Sequence, residues 1–283
     1  MKNIWILARM TLREAVRRRI VLTGLVLGLV FLTAFNVGFR IVYLNASARA
    51  QRLDDAFTNI ITSEGINTLM LAGLYAVTFL SAAMGALLGA DTLSGEIVSG
   101  TIQTIVTKPV RRSDVVLGKW FGFAILLAFY SMLMSGGTVL SVWVQSGFAP
   151  RNVLPGLSLI YLESLLIMTV SVTCSSFLSG LATGGVVFGL YGLSFIGGWV
   201  EQIGAVIKND TAVQVGIVTS LIIPSEALWR RAAFEMQSPL STVLGVSPFG
   251  TTSVPSLLMI GYAVVYLVLT LMTAVSIFKH RDL

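Results

Sequence analysis

Six runs of about twenty apolar residues, each almost free of charge, dominate what this chain can fold into. They are Ile20–Phe39, Leu69–Ala90, Trp120–Val144, Leu157–Leu178, Leu181–Val200 and Ser256–Phe278. Twenty residues of helix rise about 30 Å, the thickness of a bilayer's hydrocarbon core. Inside lipid the backbone must satisfy its own hydrogen bonds, so runs of this length fold as helices. A β-barrel would show alternating segments of about ten residues, and none occurs. Of the 283 residues 55% are hydrophobic and only 11% are charged, against about a quarter charged in soluble domains. So little polar surface leaves lipid as the solvent. The expected fold is an all-α integral membrane protein: an amphipathic stretch over 1–19, then one six-helix domain over 20–283.

The net charge is +6, and six of the nineteen Lys/Arg fall in the first nineteen residues, directly before an apolar run. That is a topology and headgroup signal rather than a nucleic-acid stripe. With the N-terminus inside, twelve of the basic residues lie in the inner segments 1–19, 91–119 and 279–283. Seven lie in the longer outer segments 40–68, 145–156 and 201–255. Both termini are therefore expected in the cytoplasm, with the chain multi-pass in the plasma or inner membrane. Ala46-Ser47-Ala48 resembles a signal-cleavage tripeptide, but the preceding run is longer than a signal core, and a retained first helix is expected. The single Cys174 and single His280 exclude an intramolecular disulfide and any histidine- or cysteine-based metal cluster.

The first stretch reads as an amphipathic helix. Arg9, Arg13 and Arg17 share one face at i, i+4 and i+8, while Trp5, Ala8, Leu12, Ala15 and Val16 line much of another. Such a helix lies in the interface with its arginines toward anionic headgroups. It serves either as an anchor or as a lever from a partner to the first span.

Between the second and third runs lies an inner loop, 91–119. Gly95 and Gly100 allow sharp backbone changes. Thr101–Thr107 reads as a short helical piece that Pro109 ends, with Lys108 at its C-terminus, where a cation is favoured. Ser113 is the expected cap of the next span. Glu96 is a carboxylate available to an arginine of another protein.

The residues Gly95, Glu96, Ser99, Gly100, Thr101, Lys108, Pro109, Arg112, Gly118 and Lys119 match the GE-x-x-SGT…KP-x-x-R…GK signature of ABC-2 type transporter permeases, which the chain resembles. Six spans behind a basic interface helix resemble that family's architecture. The resemblance implies a permease that recruits a separate ABC-type ATPase subunit and pairs with a second permease half. ATP and Mg would be held by that partner, and this chain would hold no cofactor. It also implies that the loop is a cytoplasmic coupling helix docking on the ATPase, with Gly95, Glu96, Ser99, Gly100, Thr101, Lys108, Pro109 and Arg112 at or near the contact. The chain has no G-x-x-x-x-G-K-[ST] phosphate loop.

Glu163 is an acid within the fourth run, about 10 Å from its outer end at about 1.5 Å per residue. It is expected to face protein or water, as a pathway residue or as a hydrogen-bonded structural group. Glycine pairs four residues apart, Gly24/Gly28, Gly85/Gly89, Gly118/Gly122, Gly180/Gly184 and Gly185/Gly189, permit close helix approach, within one subunit or at a dimer seam. In the outer segment, Glu226–Met236 is expected as a short interfacial helix capped by Ser225, with Trp229 and Phe234 on the membrane surface. Ile217–Ile223 is too short to span and reads as re-entrant or interfacial. The alternative to an ATP-driven exporter is a stand-alone ion-coupled carrier. Spans with no ionisable group besides Glu163 argue against it.

Overall fold

A computed structural model describes residues 2–17, 19–53, 56–90, 92, 111–238 and 254–280. Among them are nine α-helices and no strand. They are α1 (Lys2–Arg17), α2 (Arg19–Leu53), α3 (Ala56–Ala90), α4 (Arg112–Ser146), α5 (Val153–Ser175), α6 (Gly180–Val206), α7 (Asp210–Ile222), α8 (Ser225–Met236) and α9 (Leu257–His280). Six of them (α2, α3, α4, α5, α6 and α9) are long and apolar enough to cross a membrane. They are the six spans expected from sequence.

The apolar runs understate the helices. Segment 40–68, expected as an outer connection, is almost entirely helix, because α2 and α3 each continue for 35 residues. At about 1.5 Å per residue each is about 52 Å long, well beyond a 30 Å hydrocarbon core. Hydropathy registers lipid thickness, whereas helix continues wherever nothing breaks it. The two helices run antiparallel: Gly24 meets Met84 and Gly73 meets Phe35, and Phe31, Phe35, Phe39 and Tyr43 form a ladder of stacked rings along α2.

Local chemistry sets the other boundaries. Gly147, at φ 69°, ends α4 in the left-handed region and returns its N–H to Trp143 O at 2.8 Å. Pro155 sits in the first turn of α5, where a missing N–H is harmless. Asn209 caps α7 through Ala212 N at 3.2 Å. Two expected caps are corrected. Arg111 and Pro224 hold the N-cap positions of α4 and α8, and Ser113 and Ser225 lie inside those helices.

The core sits between α3, α4 and α5. At Gly85 and Gly89 the absent side chains let α3 approach α5: a Cβ at Gly85 would lie 2.7 Å from Ser164 O, and one at Gly89 2.5 Å from Ser171 Cβ. Ser171 donates across this seam to Ala86 O at 2.6 Å. Gly118 and Gly122 seat α1 on α4 in the same way, against Leu7, Ala8 and Thr11. Gly24 and Gly28 of α2 receive Met84 and Met134. By contrast Gly184, Gly185 and Gly189 have no neighbour within 4 Å, so that stripe serves no packing within the described chain.

The interval 201–255 departs furthest from expectation. α7 and α8 meet at a 107° bend, and α8 turns back into the bundle. Trp229 is 2% exposed and Arg230 1%. The expected interfacial helix is thus a core element packed on α5 and α6. Pro224 explains the break, since it cannot continue the helix of α7. Ser194 of α6 repairs the opened backbone: its hydroxyl donates to Ile223 O at 3.0 Å and accepts from Glu226 N at 3.2 Å. Such repair is what lipid-depth backbone requires.

Candidate functional site

The loop residues Gly95, Glu96, Ser99, Gly100, Thr101, Lys108 and Pro109 lie outside the described residues. Their flanks are described. Arg112 Nη1 donates to Lys279 O of α9 at 3.3 Å. Lys119 is buried, and its ammonium donates to Thr92 O at 3.1 Å. Thr92 in turn bonds Leu88 O. Lys119 therefore places a cation at the C-terminus of α3, where the helix carbonyls concentrate negative charge. The Gly118-Lys119 pair joins three parts: Gly118 admits α1, and Lys119 ties α4 to the start of the loop.

On α1 the three arginines Arg9, Arg13 and Arg17 are exposed, as expected of an interface helix, and Ala8, Thr11 and Ala15 are buried against α4. Trp5 and Val16, read as part of the apolar face, are exposed together with Ile6 and Met10. The helix thus has a packed face and an exposed face on which the three arginines alternate with Trp5, Ile6, Met10 and Val16.

The densest polar chemistry lies deep in the bundle, around α8. Glu163 is the eleventh residue of α5, about 15 Å from that helix's start, deeper than the apolar run implied. It is fully buried, and among the described residues neither carboxylate oxygen has a hydrogen-bond partner. It lies close enough to Glu226 for the two charges to act on each other. Glu226, also buried, accepts from Tyr75 Oη at 3.3 Å, and Tyr75 accepts from Trp199 Nε1 at 3.0 Å. Gly198 makes the room: a Cβ there would collide with the Glu226 side chain. Beside it Arg230 is ion-paired with Glu201: Nη2 donates to Oε2 at 2.8 Å, Nη1 lies 2.5 Å from Oε1, and Nη2 also reaches Ser220 at 3.4 Å.

The sequence pointed to Glu163 alone. Glu201, Glu226 and Arg230 were missed because Glu226 and Arg230, four apart on one helix, look like an exposed i,i+4 pair. A usable signal was present: two opposite charges follow a proline and an apolar run too short to span.

Next to this cluster, Leu27, Phe31, Phe79, Tyr75, Tyr191 and Phe195 line a groove of about 530 Å³ between α2, α3 and α6. The Tyr75 ring forms part of its wall while the Tyr75 hydroxyl is bonded to Glu226. The groove is thus an aromatic trough whose inner wall hides acids.

Comparison with known proteins identifies relatives. The protein matches "Probable ABC transporter permease protein NosY" of Stutzerimonas stutzeri at 31% identity over 142 residues, 50% of this chain and 46% of that protein. It matches the protein of the same name from Pseudomonas aeruginosa at 28% identity over an equal length. The matched part thus spans about half the length of these curated relatives. The family model described as "ABC-2 family transporter protein" matches residues 5–283, which takes in the interface helix, all six spans and the buried cluster. With nearly the whole chain matched, and six membrane-length helices in place, the protein belongs to the ABC-2 transporter family.

Proposed function

We propose that this protein is the membrane half of an ATP-driven exporter, coupled through residues 91–119 to a separate ABC-type ATPase subunit that holds ATP and Mg. The observation that carries the reading is the family match over residues 5–283, joined to a sequence without a phosphate loop. Glu96, Thr101 and Lys108 contact the ATPase. Lys119 and Gly118 pass its motion to α3, α4 and α1, since those helices are tied at that point. The basic end carrying Arg9, Arg13, Arg17 and Arg112 faces the cytoplasm of a plasma or inner membrane. A second permease half covers the open glycine face of α6, where Leu181 is 92% exposed and a Cβ at Gly184, Gly185 or Gly189 would meet no described atom within 4 Å.

Purification of the full chain in gentle detergent tests the class. A soluble ATPase is expected to accompany it, and Glu96→Ala should lower ATPase recovery and substrate-stimulated hydrolysis by about tenfold, as loss of a charge-assisted contact predicts. Unchanged recovery and turnover would refute the docking role. Orientation is checked by Thr104→Cys, which should react with an impermeant thiol reagent only from the cytoplasmic face. Reaction from outside inverts the topology.

One observation favours the ion-coupled carrier instead: Glu163, Glu201, Glu226 and Arg230 are all buried, so Glu163 is not the bundle's sole internal charge. Repeated purification without an ATPase would bring that reading forward.

A further inference from the structure

The buried cluster does not balance its charge. Three carboxyl groups, Glu163, Glu201 and Glu226, share one guanidinium, Arg230, which is engaged with Glu201. Two acids remain. Tyr75 supplies Glu226 with one hydrogen bond, while no donor among the described residues reaches either oxygen of Glu163. Two neighbouring carboxylates cannot both stay ionised away from water without a positive charge between or beside them. Among the described residues the ionisable groups within reach supply one guanidinium for three acids, since Arg230 acts on Glu226 as well as on Glu201. Tyr75 faces the pair from α3 and Tyr191 from α6. From α8, Arg230 is paired with Glu201, and Arg231 with Glu235. On α4 the Tyr130 hydroxyl donates to Gly24 O, and the Lys119 ammonium to Thr92 O. On α9 Tyr266 lies by Cys174.

The groove supplies an entrance. Tyr75 and Tyr191, the two phenols in electrostatic contact with the acids, are also two of its walls, and Phe31, Phe79 and Phe195 complete an aromatic lining. Its volume of about 530 Å³ falls in the range that encloses a drug-sized molecule. Aromatic faces attract cations, and a phenol that donates to a carboxylate presents a more electron-rich face.

We propose that the groove between α2, α3 and α6 binds a hydrophobic organic monocation, whose charge is answered by Glu163 and Glu226, and that the acid pair holds a proton when the groove is empty. Glu163 is then a carboxylic acid at rest. Arrival of the cation releases that proton to water through the groove, one positive charge replacing another, so the charge count is unchanged. The inference adds a cargo class to the permease reading, but binding needs no ATPase, so either can fail without the other.

The test uses the full chain in lipid nanodiscs, with tetraphenylphosphonium as probe and triphenylphosphine oxide as its uncharged analogue. Equilibrium dialysis should show the cation binding to the wild type and at least about tenfold more weakly to Glu163→Gln, with the neutral analogue unaffected. Infrared difference spectra should show a deuterium-sensitive carboxylic acid band in the wild type. That band should fall on adding the cation and be missing in Glu163→Gln. Glu226→Gln provides the same readings if Glu163→Gln does not fold. Equal binding of the cation by wild type and variants overturns the proposal. So does a neutral analogue that binds as tightly as the cation, which would make the groove a lipid or partner-helix site. A wild type with no carboxylic acid band overturns the resting proton.

Discussion

Arg230→Met should destabilise the folded protein by about 3–5 kcal/mol, because it leaves Glu201 as an uncompensated buried charge beside Glu226. Thermal unfolding of the detergent-purified protein would measure the loss. The ion pair is buried, with Arg230 1% and Glu201 4% exposed, and its hydrogen bond bridges α6 to α8 across the α7–α8 bend. The double variant Arg230→Met/Glu201→Leu should recover most of the loss, since replacing both partners removes the orphaned charge. A single variant as stable as the wild type would mean that water reaches Glu201. A double variant no better than the single would place the contribution in packing instead of charge.

Gly89→Val should be nearly as damaging, by about 3 kcal/mol, the upper end for overpacking a tight interior. The new Cβ would lie 2.5 Å from Ser171 Cβ and 2.8 Å from Val172 N. One of those neighbours is main chain and cannot rotate away, so α3 must move off α5. That movement also breaks the Ser171–Ala86 hydrogen bond. Gly185→Ala supplies the contrast. Its Cβ meets nothing within 4 Å, and alanine is the better helix former by about 1 kcal/mol. The monomer should therefore be unharmed or slightly stabilised. Loss of self-association in Gly185→Ala, by size-exclusion light scattering, would locate the seam between halves on α6. A large fall in melting temperature would contradict the open face.

The spans were legible because lipid enforces one rule, long apolar helix, that composition records directly. Their ends were not. Nothing in Arg40–Leu53 breaks a helix, so α2 simply continues past its apolar run. Three of the glycine pairs were legible as packing sites, whereas the sequence could not distinguish them from the α6 pairs, since spacing does not reveal which face meets a neighbour. Glu163 was legible as an anomaly of charge in an apolar run. Its companions were not, because Arg230 lies four residues from Glu226 yet reaches across to Glu201 on another helix. Pairing of that kind belongs to the tertiary fold and leaves no mark in sequence spacing. The loop motif was legible through resemblance, and only Arg112, Gly118 and Lys119 of it fall among the described residues.

The unusual length of α2 and α3 has a mechanical corollary. About 20 Å of each extends past a 30 Å hydrocarbon core, and their antiparallel contacts from Gly24–Met84 to Phe35–Gly73 make the two helices move as one strut. Pivoted at the α1 end, a tilt of about 5° would swing the far tip by about 4–5 Å over a 52 Å arm. A rotation too small to register among the packed side chains of α3 and α5 is thereby magnified at the tip, which makes that extremity the place where a pair of spin labels would register such a tilt most sensitively.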